Sequence, residues 1–389
     1  MTKYRWQATA FVLVSFMLGC NEFIVVGVLS DIASSLKVTV ATVGLLVTLF
    51  ATVFAISTPI ITILTSRFNR YRVFMTLMVV FLIGNTWSGF ATSFTMLLIS
   101  RMITAVVAGS LESLVIAFAN DVAPRGKRAV LISWISAGFS IASVIGVPVG
   151  TAISTATSWH DAFHLISLLS LVTCLVLAWL LPKHVQQVPG TIKEQLVLLT
   201  DARIYWGVSL ITLSAGTLYA YYTYIRPLLT TGMGFSAQAL NWLLFALGIM
   251  SIFGNRLSGT LADNNGLKWM PYIYLVTLIL LLLMPLTLNQ AVVGFGIFLA
   301  LTLLLTLVGS PLQILFLDVA EADYPQAKVL ASSLNAIFYN VGISMGSAAG
   351  SLTLARGSLK HLGPTAAIFA GASMIVALVL NHTIAKRRR

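Results

Sequence analysis

Hydrophobic residues in this chain come in long unbroken blocks separated by short polar turns, with little of the apolar-polar alternation of a half-buried strand. Blocks long enough to cross a bilayer, about 20 residues each, fall roughly at residues 8–29, 40–64, 73–93, 96–119, 129–153, 161–182, 205–230, 238–261, 270–289, 291–318, 329–354 and 364–384. They predict an all-α membrane protein with twelve transmembrane helices and both termini on the same side.

The polar interruptions decide the orientation. With the N-terminus cytoplasmic, 18 of the 23 Lys and Arg residues fall in inner segments, Lys37, Arg356 and Lys360 fall outside, and Arg101 and Arg226 lie within spans. That is a strong positive-inside bias, so both termini are expected in the cytoplasm of a multi-pass protein of the cell membrane.

The longest polar stretch, residues 183–203, contains Pro189 and Gly190 and reads as a cytoplasmic linker between a first half, 1–182, and a second, 204–389. Asp121-Val122-Ala123 recurs as Asp318-Val319-Ala320, an offset of 197, and the turn at Ser66 recurs at Asp263 with the same offset. Two loops sharing one offset indicate a duplicated six-helix half, repeated in parallel because both copies start on the same side.

Composition supports the membrane reading. The chain has 389 residues, 58% hydrophobic and only 9% charged, where soluble domains carry about a quarter charged residues. The net charge of +12 is mostly topological, which argues against a nucleic-acid partner. Cys20 and Cys174 lie in apolar blocks and read as small hydrophobes, with no disulfide framework or zinc site. Lys3 and Arg5 precede a block too long for a signal peptide, and no small-x-small cleavage site follows, so a retained first span is expected.

The candidate chemistry starts at Cys20-Asn21-Glu22-Phe23. An acid at the centre of a span costs roughly 2.5 to 3.5 kcal/mol, so an acid that persists there is expected to face a protein interior or a watery cavity and to work there. At ~1.5 Å per residue, Glu22 stands about 21 Å above the start of its span, and Arg101 of span four stands at a depth that suits pairing. Glu112 follows Arg101 by three helical turns and shares its face. The alternative for Arg101 and Glu112 is snorkelling to the interfaces.

In span seven, Tyr219, Tyr222, Thr223 and Arg226 follow i, i+3, i+4, i+7 and would share one face. Such a face can stack on a sugar or an aromatic drug while its hydroxyls hydrogen-bond; an interfacial aromatic belt is the alternative, above all for Tyr221 and Tyr224. Gln313, Asn335 and Asn340 are uncharged polar groups in apolar sequence, suited either to substrate or to helix association. Small residues at Gly138, Ala142, Gly146 and Gly150, and at Gly342, Gly346 and Gly350, form ridges for close helix contact, with Pro148 a weak point in span five. His160 and His164 beside Asp161 read as interfacial histidines, since a metal site would need further ligands.

These residues resemble the major facilitator superfamily, in particular its twelve-span drug and sugar efflux branch of proton antiporters. The first half looks like bacterial sugar efflux transporters in Glu22-Phe23-x-x-x-Gly27-x-Leu29-Ser30-Asp31-Ile32-Ala33, Leu64-Thr65-Ser66, Ser100-Arg101, Ala123-Pro124-x-Gly126-Lys127-Arg128-Ala129 and Gly146-Val147-Pro148-Val149-Gly150. Tyr224-Ile225-Arg226-Pro227 and Pro311-Leu312-Gln313 with Asp318-Val319-Ala320 look like the related arabinose-efflux type.

The resemblance places Glu22 on the branch's span-one acid and Arg101 on its span-four arginine; together with the residue reading above, it leads to the expectation of proton coupling through Glu22, Arg101 and Glu112, and of substrate binding by Asn21, Glu22, Arg101, Tyr219, Tyr222, Arg226, Gln313, Asn335 and Asn340. It also implies a conformational switch involving Arg67, Arg70, Arg125, Arg128 and Asp263 with Gly146, Pro148 and Gly150. The superfamily's loop motif survives as Gly259-x-Leu261-x-Asp263-x-x-Gly266-x-Lys268, whereas the first-half copy has Ser66 in place of the aspartate. A cytoplasmic latch would therefore use Asp263 against Arg125 or Arg128.

The expectation is a monomeric, non-enzymatic exporter of small molecules in a lipid bilayer, with protons as coupling ion and no cofactor. Sugars or related metabolites, lipophilic cationic drugs, and an uncoupled facilitator all remain open as readings. No phosphate loop is present for ATP-driven pumping.

Overall fold

A computed structural model describes residues 3–65, 68–124, 128–183 and 197–387, and every regular element among them is helical. Two compact units divide the chain, Met1–Pro189 and Gly190–Arg389. The first holds α1 (Lys3–Ser35), α2 (Val40–Thr65), α3 (Arg70–Gly89), α4 (Phe94–Val122), α5 (Arg128–Ile141), α6 (Val147–Ala156) and α7 (Trp159–Leu180). The second holds α8 (Ala202–Tyr222), α9 (Ala237–Asp263), α10 (Met270–Thr287), α11 (Ala291–Thr306), α12 (Gly309–Asp323), α13 (Lys328–Arg356) and α14 (Leu362–Arg387).

Ten helical stretches among the described residues are long and apolar enough to cross a membrane. The helices α8 and α13 stand where spans seven and eleven are expected. Of the expected linker, residues 184–196 lie outside the described residues, as do Arg67 and Arg125 and the side chains of Arg128 and Asp263. The part of the linker that is described is ordered: a 3-10 turn at Val197–Thr200 leads to Asp201, whose carboxylate caps α8.

Side-chain caps set many of the helix starts. Asn69, Ser93, Ser158 and Ser236 each accept a backbone N–H from the first turn of the helix that follows, satisfying one of the donors that a helix start leaves free.

Three spans are not the continuous helices the apolar blocks suggest, and each contains a proline. Proline has no N–H, so the carbonyl four residues earlier loses its partner. Span five passes from α5 to α6 through a π-helical turn at Ala142–Gly146, just before Pro148. Span seven stops at Tyr222, continues as a helical turn at Ile225–Pro227 and ends in a π-turn at Leu228–Gly232. Tyr219, Tyr222, Thr223 and Arg226 therefore do not share one regular helical stripe. Span ten breaks at Leu307 and Val308, where Pro311 leaves the Leu307 carbonyl without its usual partner. Ser258 of α9 fills that gap, its hydroxyl donating to the Leu307 carbonyl at 2.9 Å while accepting the Ser310 N–H at 3.0 Å. By contrast, Pro59 and Pro285 are carried inside α2 and α10.

Both units use small-residue ridges in the same way. In the first, α1 packs on α5 and α6, and a methyl group added at Gly138 would lie 2.7 Å from the Val12 carbonyl. At Gly146 it would lie 2.9 Å from Cys20 Sγ and at Gly150 2.8 Å from Ile24. In the second unit α8 packs on α13, and an added methyl at Gly342, Gly346 or Gly350 would meet the carbonyls of Thr212, Gly216 and Ala220 at 2.2 to 2.4 Å. The contacts of α2 with α4 and α3 with α7 likewise recur as α9 with α12 and α10 with α14. The duplication read from two loops thus reappears as a duplicated packing order, the first helix of each unit seated on the fifth span.

At Gly346 the obstruction is backbone, which cannot move aside. Gly346→Val should lower the melting temperature of the detergent-purified protein by an amount corresponding to about 1–3 kcal/mol of overpacking. Gly371→Ala, where an added methyl meets nothing within 4 Å, should cause no loss.

A buried arginine-amide cluster as candidate functional site

In the first unit the span-four arginine is 1% exposed, a position at which a bare cation would be prohibitively costly. It is stabilised by neutral groups. Nη1 donates to the backbone carbonyl of Asn21 and to its side-chain Oδ1, both at 2.8 Å. The guanidinium carbon lies 4.3 Å from the centre of the Phe50 ring and 5.9 Å from that of Phe163, within cation–π range. Nε is enclosed with no hydrogen-bond partner among the described residues.

The expected contact pair of Glu22 and Arg101 is not formed: no ion pair within 4.0 Å involves Glu22 among the described residues. Helix geometry supplies the reason. Consecutive residues are turned about 100° apart, so with Asn21 aimed at Arg101 the next side chain points elsewhere. Asn21 is fully enclosed, whereas Glu22 and Glu112 are each partly exposed. Glu22 nonetheless lies within electrostatic reach of both Arg101 and Glu112. Glu22 is thus coupled through space to a buried cation on one side and to a second acid on the other, without a salt bridge among the described residues.

Two amides extend the cluster. Asn21 Nδ2 donates to Asn85 Oδ1 at 2.6 Å, and Asn85 Nδ2 donates to the Phe163 carbonyl at 3.3 Å and to Ser167 Oγ at 3.2 Å. Asn85, on α3, escaped the sequence reading although the signal was there: like Asn335 and Asn340, it is an uncharged amide within apolar sequence. Further along α1, Asp31 accepts a hydrogen bond from Ser154 and the Gly27 carbonyl one from Thr151 at 3.1 Å, tying α1 to α6 beside the buried Gly146, Pro148 and Gly150. Arg70 stacks at 5.8 Å over Phe118.

The second unit holds the aromatic group. Tyr219 meets Tyr222 edge to face at 6.0 Å and Tyr339 of α13 at 6.1 Å. Tyr339 gave no sequence signal, because one tyrosine in an apolar run becomes informative only when another helix brings partners to it. Asn335 lies one turn before Tyr339 on the same face and is partly exposed, as is Gln313. Asn340 is buried, its Nδ2 bonded within its own helix and its Oδ1 without a partner among the described residues. Arg226 is 7% exposed. Tyr221, stacked on Phe298 with 3° between the rings, and Tyr224 are enclosed by protein, so neither serves as a headgroup belt.

At the start of α7, His160 Nε2 donates to the Ala91 carbonyl at 3.0 Å and Nδ1 bonds Ser158, while His164 pairs with Asp161 at 3.4 Å. They fasten this end of α7 to the turn between α3 and α4.

Comparison with known proteins places the chain among transporters. The Major Facilitator Superfamily family model matches residues 11–347. Uncharacterized MFS-type transporter YtbD of Bacillus subtilis (strain 168) is 32% identical over 372 residues, 95% of this chain and 93% of the relative. Uncharacterized MFS-type transporter YbcL of the same organism is 27% identical over 386 residues, 98% of this chain and 97% of the relative. Among solved structures, a bacterial homologue of the human lysosomal transporter Spinster, inward-facing and unoccupied, superposes with a TM-score of 0.82 at 16% identity, covering 99% of this chain and 98% of the other. A D-xylose-proton symporter superposes at 0.77 and 15% identity, covering 97% of each chain. At those identities the structures speak for the fold.

The cluster makes a ranking of stabilities testable by thermal melting in detergent. Arg101→Met strands the Asn21 oxygens, whereas Asn21→Leu leaves the buried guanidinium with the backbone carbonyl of residue 21 as its one remaining acceptor and strands Asn85 Oδ1 as well. Hydrogen bonds to charged groups contribute about 1.5–3 kcal/mol and an under-satisfied buried charge costs more than a stranded neutral group, so Asn21→Leu should be the more damaging of the two.

Proposed function

This chain belongs to the major facilitator superfamily, a multi-pass membrane transporter, and we propose that it works as a proton-coupled exporter of small organic molecules, sugars or sugar-like metabolites, by alternating access. The observation that carries this reading is Glu22: a partly accessible carboxylate in mid-helix, free of any ion pair within 4.0 Å among the described residues, yet in the field of Arg101 and Glu112. A carboxylate so placed can exchange a proton without first breaking a contact pair.

A guanidinium acts on a nearby carboxylate according to their distance, so a modest change in the separation of Glu22 and Arg101 can move the proton on or off. Open to the outside, Glu22 takes a proton; open to the cytoplasm, it releases it. Substrate that favours the deprotonated state competes with the proton, which couples the two flows. Each pH unit supplies ~1.4 kcal/mol and one charge moved through 100 mV about 2.3 kcal/mol, sufficient for export against a tenfold gradient or more.

The tyrosine trio of Tyr219, Tyr222 and Tyr339, with Asn335, Asn340, Gln313 and Arg226, supplies flat faces and neutral hydrogen-bonding groups suited to a polyhydroxylated ring. The resemblance of the motifs to sugar efflux transporters supports the same substrate class. The transporter works as a monomer in the cell membrane with both termini in the cytoplasm, and uses no cofactor beyond the proton.

The test is proton release by purified protein in weakly buffered detergent, challenged with pools of sugars and of lipophilic cationic drugs. Wild type should release protons on sugar addition and Glu22→Gln should not; in proteoliposomes Glu22→Gln should lose flux driven by a pH gradient. Release with the drug pool alone would replace the sugar reading by multidrug export. Gradient-driven flux surviving in Glu22→Gln would overturn coupling at this residue.

A further inference from the structure

We propose that Asn85 is a positioning residue: it locks Asn21 in the one orientation that keeps the Arg101 guanidinium on the Asn21 oxygens and away from the Glu22 carboxylate. The consequence for transport rests on the reading of Glu22 as proton carrier; the positioning itself rests on hydrogen-bond directions.

Those directions are set from both ends of the cluster. A guanidinium has only donors, so Asn21 must turn its Oδ1 toward Arg101 and its Nδ2 away. Nδ2 then needs an acceptor, and finds Asn85 Oδ1 at 2.6 Å. At the far end the Phe163 carbonyl can only accept, so Asn85 must turn its Nδ2 toward α7, where it reaches Phe163 and Ser167. Both amides are 0% exposed, and water does not compete for these groups. The oxygen end of each amide faces the cation, so the dipoles align and reinforce one another. A flip of either amide would set donor against donor.

Loss of the Asn85 oxygen would leave Asn21 Nδ2 buried without an acceptor and free the amide to rotate. Arg101, whose Nε already lacks a partner, would then find its strongest nearby acceptor on the next residue of the same helix, Glu22. The other charges around Glu22 do not offer an alternative. Glu112 on α4 is a second acid in its field. Of the other helices packed on α1, α2 and α6 carry no titratable residue, α5 begins with Arg128, and α7 carries His160, Asp161 and His164 in its first turns and the buried thiol Cys174 further along; Tyr4, Arg5 and Asp31 flank the ends of α1 itself, and the Cys20 thiol faces Gly146 of the span-five π-turn. A contact pair with Arg101 would favour ionised Glu22, and protonation would then demand a lower pH.

Infrared titration of the protonated carboxyl band in purified protein reads this directly, the Glu22 band being assigned by its loss in Glu22→Gln. Asn85→Leu should move its midpoint at least one unit to lower pH, a tenfold rise in the proton concentration required. Asn85→Asp, which keeps an oxygen facing Asn21 and adds negative charge, should not move it down. Should Asn85→Leu not purify, Asn85→Ser, too short to reach Asn21, takes its place with the same expected direction.

Midpoints that coincide in wild type and Asn85→Leu, or that fall alike in the Leu and Asp variants, would overturn the proposal. So would the absence of any Glu22 band in wild type, because a Glu22 held free of Arg101 takes up a proton. The infrared midpoint does not depend on transport. If Glu22→Gln retains gradient-driven flux, the coupling reading fails while the positioning of Arg101 by Asn85 is judged separately.

Discussion

Enclosing a guanidinium in the middle of a membrane-embedded unit is the constraint around which the first unit is arranged. Arg101 remains a cation at 1% exposure because two oxygens of Asn21 and the face of Phe50 stand in for water. Each support comes from a different helix, α1 and α2, and Asn21 is in turn braced through α3 to α7. Four helices therefore have to be in register before the charge is tolerable. With the cation satisfied by neutral partners, Glu22 feels its field without being captured by it.

The seams between helices provide the complementary constraint. Where α1 meets α5 and α6, and α8 meets α13, glycines let backbones approach until even a methyl group would collide with a carbonyl. In lipid, helix association draws on such close packing and on interhelical hydrogen bonds more than on the hydrophobic effect. The same seams adjoin the interrupted helices. The π-turn at Ala142–Gly146 lies in the α1 seam, and the break at Leu307 and Val308 is completed by Ser258 from α9. Irregular backbone is permissible at these places because a neighbouring helix supplies what the interrupted ladder lacks.

In the second unit a forked arginine fastens a broken span. Arg203 bonds Asp201 through Nε at 3.0 Å and Nη2 at 2.7 Å and also pairs with Asp323 at the end of α12. The half of span ten beyond its break is thereby tied to the start of α8. Tyr219, at the other end of α8, gathers Tyr222 and Tyr339. One helix thus carries both a charged tether and the aromatic group, at opposite ends of its length.

What the sequence by itself determined is what the bilayer dictates locally. Apolar blocks about 20 residues long, the turns between them, and the few charges that break the rule are all legible, because each is a free-energy cost attached to single positions. Glu22, Arg101 and Glu112 stand out for that reason, and the repeat is visible because the duplicated halves kept loop residues at one spacing. Only the tertiary structure decided which side chains meet. A helix read from sequence has a periodicity but no fixed rotation about its axis, and about 100° separates Asn21 from Glu22. That angle decides whether the arginine is held by an amide or an acid. Asn85 and Tyr339 became significant only when neighbouring helices fixed the rotation, and the proline breaks only when Ser258 and the glycine seams supplied the missing partners and the room.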